Sequence, residues 1–216
     1  MSDALKQQTR AFVVALAPVV LAVGVVVHPY ISDFNDTGEV AAAASDSPST
    51  WAFSHALLIV GFALLILAAF AIRFHLHDAG EDRWSFWATP LLTVGGGILA
   101  AYMGLEGLGG YAVAEAGGSV EGFYEAGSNL LWFFLIGAAA FSVGILVLAG
   151  AIHVSGVLSR AMRWTVIASL VVATVGNLIP ASWASYVGAA ATLIGFGIVA
   201  TSMWPPTETS PIPPIA

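Results

Sequence analysis

Apolar residues in this chain come in long blocks, and the polar residues gather between the blocks and at their edges. A helix needs roughly 20 mostly apolar residues to cross the hydrocarbon core of a bilayer at ~1.5 Å per residue. Six blocks meet or approach that length: about 11–30, 51–74, 86–108, 129–154, 164–180 and 183–204. The fifth is short, and Pro180 gives it a sharp stop. The short link from Pro180 to Trp183 predicts a tight antiparallel hairpin. The pattern therefore predicts an all-α membrane protein, a six-transmembrane-helix bundle over 1–204 as one domain. A proline-rich tail, 205–216, follows it, with five prolines in "WPPTETSPIPPIA" that favour extended chain.

Charge adds a direction to this bundle. The six basic residues are Lys6, Arg10, Arg73, Arg83, Arg160 and Arg163. They precede span 1, surround the link between spans 2 and 3, or join spans 4 and 5. By the positive-inside rule these segments are cytoplasmic, which puts both termini inside. The loops of the other side are acidic: Asp33, Asp36, Glu39 and Asp46 in one, Glu115, Glu121 and Glu125 in the other. The expected location is the plasma membrane of a prokaryotic cell. Lys6, Arg10, an apolar stretch and "EVAAAASDS" also have the order of a signal peptide. The stretch, however, exceeds the ~7–15 residues of an ordinary signal core, and a retained first helix is expected. "AAAASDSPST" then reads as a flexible loop.

Composition narrows the chemistry. Only 9% of residues are charged, against about 25% in soluble domains. The absence of cysteine excludes disulfides, thiolate catalysis and iron–sulfur ligation. A net charge of −7 argues against nucleic acid as a partner. The lipid bilayer is the partner the composition requires; a membrane-protein partner or a homo-oligomer is compatible with it. Neither HExxH, GxSxG nor a P-loop occurs, so no catalytic residue and no enzyme class is assigned. The 23 glycines include "VGGGILAAYMG", which predicts close helix packing, or room for a flat group or partner helix. The same run and Pro90 would also suit a broken helix. Tryptophans at span ends form an aromatic belt.

Ionisable groups inside spans are costly and face the bundle interior. His28, near the end of span 1, and His55, near the start of span 2, lie at similar depths. Glu106 ends span 3, Tyr102 lies one turn below it, and Asn129 and Asn177 bring spans 4 and 5 to the same layer. At the opposite face, His75, His77 and His153 end spans 2 and 4. Four readings of the His28, His55 and Glu106 layer follow. A polar knot would tie helix ends together in an accessory or structural subunit with no cofactor. A divalent metal such as zinc, iron or copper would take two imidazoles and one carboxylate. A b-type haem would take His28 and His55 as axial ligands, with a second haem on His75 or His77 and His153, giving an electron path across the membrane. A proton-coupled small-molecule transporter would exchange protons at His and Glu. Haem or metal binding is the most specific expectation of the four.

Overall fold

The computed structural model describes residues 2–127 and 131–204, so Asn129 and the proline-rich tail lie outside the described residues. Among the described residues every regular element is helical. In chain order these are α1 (Asp3–Val27), α2 (Thr37–Asp46), α3 (Pro48–Asp78), α4 (Arg83–Gly104), a π-helical turn (Leu105–Gly109), α5 (Gly110–Glu115), α6 (Val120–Gly127), α7 (Leu131–Ser155), α8 (Arg160–Leu178) and α9 (Ser182–Met203). Six stretches are long and apolar enough to span a bilayer, the third running without a break from Arg83 to Glu115. The chain is an integral membrane protein.

Local chemistry explains where the helices start. The Ser2 hydroxyl accepts from Leu5 N–H, and the Asp36 carboxylate accepts from the N–H groups of Gly38 and Glu39. Pro48 sits at the first turn of α3, where its missing N–H costs nothing. The Glu81 carboxylate accepts from Trp84 and Ser85 N–H and so caps α4. Pro29 and Pro180 follow the ends of α1 and α8, which they cannot extend. Pro90 does not break α4, contrary to the broken-helix expectation. The departure from α geometry comes 15 residues later, in the π turn.

The long helices pack in sequence, α1 on α3, α3 on α4, α4 on α7, α7 on α8 and α8 on α9, and α9 returns to α1. That order closes a ring. Glycines set its closest seams. A Cβ on Gly95 would collide with the backbone of Phe141 in α7, and one on Gly61 would lie 2.9 Å from Leu21 Cα in α1. Gly96 faces Ile66 of α3, and Gly97 faces open space. Gly95 and Gly96 are thus filled by neighbouring helices, while Gly97 leaves its face of α4 open.

The two ends of the ring differ. At the basic end, Arg10 pairs with Asp78 at 3.0 Å and Arg73 with Asp82 at 3.6 Å, joining α1, α3 and α4. The acidic end carries a small cap with its own apolar core, in which Ile31, Val40, Ala41, Ala44, Trp51, Val120 and Tyr124 are buried. The "AAAASDSPST" segment is therefore not a loop. Its alanines complete α2, which packs on α6, and then enter α3 at Pro48. Alanine is the best helix former, and burial of Val40, Ala41 and Ala44 supplies the packing that a short helix needs.

The Glu39 carboxylate clamps the turn after α1. It accepts from Ser32 N–H at 2.6 Å, Ser32 Oγ at 2.8 Å and Asp33 N–H at 3.1 Å. These bonds, the Ser32 N–H first, hold its pKa below the usual glutamate value. The clamp is complete above the unfolded-state pKa and is lost as pH falls through the lower folded value. The Ser32 amide resonance should titrate at a pH below the ordinary glutamate range of about 4.3, and Glu39→Gln should abolish that titration. An amide shift that does not move with pH in the wild type would contradict the clamp.

Candidate functional site

The ring encloses a cavity of about 270 Å³ whose lining comes from all six long helices. Its walls are apolar along most of their length, with Phe62, Phe134, Phe141 and Phe196 facing in. Its polar end lies at the acidic end of the bundle and collects His28, His55, Tyr102, Glu106, Asn35 and Asn177. Asn35, Leu131, Asn177, Leu178 and Pro180 both line the cavity and are exposed, so they frame its mouth. A closed apolar cavity of about 150 Å³ stays dry and binds benzene. This one is larger and has hydrogen-bonding groups at one end.

The two histidines are oriented by backbone carbonyls. His28 Nδ1 lies 2.8 Å from Pro29 O, and His55 Nδ1 lies 2.9 Å from Trp51 O. A carbonyl only accepts, so each Nδ1 donates and each Nε2 is the basic nitrogen. His55 is 1% exposed and its Nε2 lies 3.7 Å from Glu106 Oε2, beyond hydrogen-bond length. The rings of His28 and His55 are 5.1 Å apart, and Trp51 packs against both at 4.7 and 4.4 Å.

Glu106 reaches this cluster through the π turn. One π turn shifts the register of the residues beyond it and is a frequent feature of functional sites. Here it lays Gly107 directly against the His55 ring, where no Cβ would fit. The Glu106 carbonyl accepts from Tyr124 Oη at 3.0 Å and, more weakly, from Trp51 Nε1 at 3.5 Å. Burial, and secondarily the Glu106 charge, push the Tyr124 pKa up, which keeps this phenol protonated as a donor. The Tyr102 ring lies 4.9 Å from that of Phe134 of α7, tilted at 49° to it.

The expected layer is thus largely assembled: His28, His55, Tyr102, Glu106 and Asn177 line one cavity. Trp51 and Tyr124 were missed. Its position at a span end predicts a belt tryptophan, yet Trp51 is 1% exposed, whereas Trp84, Trp87, Trp132, Trp164, Trp183 and Trp204 face outward. Its spacing of four from His55, one helical turn, was the available signal.

The cofactor readings fit less well. A porphyrin must lie between two axial imidazoles, but those of His28 and His55 touch each other at a 52° tilt, with Trp51 against both. No gap for a haem plane separates them. Among the described residues no three His, Asp or Glu side chains stand close enough together to hold a metal ion. The second group is dispersed: His77 pairs with Asp82 at 3.3 Å, His153 packs on Trp164 at 5.3 Å, and His75 Nε2 is buried without a partner among the described residues.

Fold and site together define an integral membrane protein, a ring of helices around an internal cavity with one polar end. Comparison with protein-family models, with curated proteins and with solved structures finds no match to this chain.

Proposed function

We propose that the bundle binds a small amphiphilic molecule inside its ring, with an apolar body among the phenylalanines and a polar head at His28, His55 and Glu106. The cavity carries this reading. Ligand sites are concave, mostly apolar and marked by a few convergent polar groups, and this one has that composition. The basic end is proposed to face the cytoplasm, so that the cavity mouth opens at the opposite face.

The direct test fills the cavity. Ala138 of α7 lines it. A panel of neutral single-ring compounds should raise the melting temperature of the purified wild-type protein, as any ligand selective for the folded state does. Ala138→Phe should place a ring where the ligand lies and abolish the increase while the protein stays folded. Equal increases in both proteins, or none in the wild type, would contradict the proposal.

A further inference from the structure

We infer that the head group bound at this cavity is a protonated amine, so that the ligand class is a cationic amphiphile with a compact apolar or aromatic body. This rests on the cavity reading above and adds the charge of its occupant.

The first observation is the hydrogen-bonding sense of the polar end. The Pro29 and Trp51 carbonyls take the Nδ1 protons of His28 and His55, which leaves both Nε2 atoms as acceptors. The Glu106 carboxylate is an acceptor as well. Among the described residues no donor is hydrogen-bonded to any of the three, so they call for a donor head. An ammonium has three N–H donors and no acceptor. The 3.7 Å between His55 Nε2 and Glu106 Oε2 is too long for a direct hydrogen bond. It is short enough for one ammonium nitrogen to lie about 2.8 Å from both, the length of a charge-assisted bond.

The second observation is charge. Glu106 is 18% exposed, and a carboxylate partly withdrawn from water is stabilised by a counter-charge beyond the weakly basic His55 beside it. None of the six basic side chains can supply one. Lys6, Arg10, Arg73, Arg83, Arg160 and Arg163 all belong to the other end of the ring, where α1, α4 and α8 begin and α3 ends. The segments that flank the mouth carry acidic residues and no basic ones, so the local field draws cations and repels anions.

The third observation is aromatic. Tyr102 lines the cavity one turn from Glu106, and its ring, tilted at 49° to that of Phe134, can present a π face to a cation.

The test uses three probes of one shape and three charges: phenylethylamine, phenylethanol and phenylacetate. Each is titrated calorimetrically into the full chain in zwitterionic detergent, with Ala138→Phe as the blank. The amine should bind about tenfold or more tightly than the alcohol, since a charged hydrogen bond exceeds a neutral one by that order. Phenylacetate should show no binding. Glu106→Gln should bring the amine down to about the affinity of the alcohol, weakening the amine far more than it weakens the alcohol. The Glu106 side chain can be changed without loss of the cap, because Tyr124 is held by its backbone carbonyl. An alcohol that binds as tightly as the amine would overturn the charge inference and leave the cavity reading standing. A Glu106→Gln variant that weakens both probes equally would do the same. Failure of both neutral and cationic probes would overturn the cavity reading itself.

Discussion

Alanine at Gly95 should lower the stability of the bundle by about 3 kcal/mol, the upper part of the range for overpacking a filled site. A Cβ there would overlap Phe141 N, lie 2.7 Å from Phe141 Cα and 2.8 Å from Gly137 O. All three atoms are backbone, so no rotamer change relieves the clash. Helices α4 and α7 would have to part, and their seam is among the most extensive in the ring. In lipid, little besides close packing holds helices together, so a widened seam has no compensating term. Gly97, two residues on, faces open space, and Gly97→Ala there should be neutral or slightly stabilising because alanine favours the helix by up to about 1 kcal/mol. Unfolding of both variants in mixed micelles checks the contrast. Similar stabilities for the two would contradict the packing assigned to α4 and α7.

The second large effect falls on the site. Gly107→Ala should abolish ligand binding while costing the fold about 1–3 kcal/mol. A Cβ on Gly107 would overlap Cβ and Cγ of His55 and lie 2.8 Å from its Cδ2. Either the imidazole leaves its bond to the Trp51 carbonyl, or the π turn lifts away and takes Glu106 with it. Both outcomes separate the acceptors that define the polar end. Gly104 provides the control, since its Cβ would meet only Ile59 Cδ1, at an ordinary 3.6 Å. Calorimetry with phenylethylamine should find binding retained in Gly104→Ala and lost in Gly107→Ala. Retention in both would mean that the contact between the π turn and His55 does not organise the site.

The long apolar blocks made the spanning helices legible, because length and hydrophobicity together leave few alternatives in a bilayer. The depth of His28, His55 and Glu106 followed from counting residues along those blocks, and these side chains do line one cavity. Elements held by tertiary contact were hidden. Helix α2 looks like a loop because alanine, serine and aspartate carry no apolar period, and it becomes a helix by burying three small residues in the cap. The π turn has no sequence signature at all; the glycines of "LEGLGG" permit it, and the approach to His55 and Tyr124 explains it. Trp51 was misplaced because a tryptophan at a span boundary faces lipid or cap equally well until the cap is known. Matched depth also says nothing of angular placement, and the haem reading, which needs the two imidazoles on opposite sides of a plane, gains no support from their mutual contact.

Binding inside the ring is open to direct sight in a crystal structure of the full chain with a bromine-labelled phenylethylamine. An anomalous bromine peak is expected inside the ring, among Phe62, Phe134, Phe141 and Phe196, with the amine nitrogen between His55 and Glu106. Bromine found only on the lipid-facing surface, with the cavity free of ligand density, would contradict it.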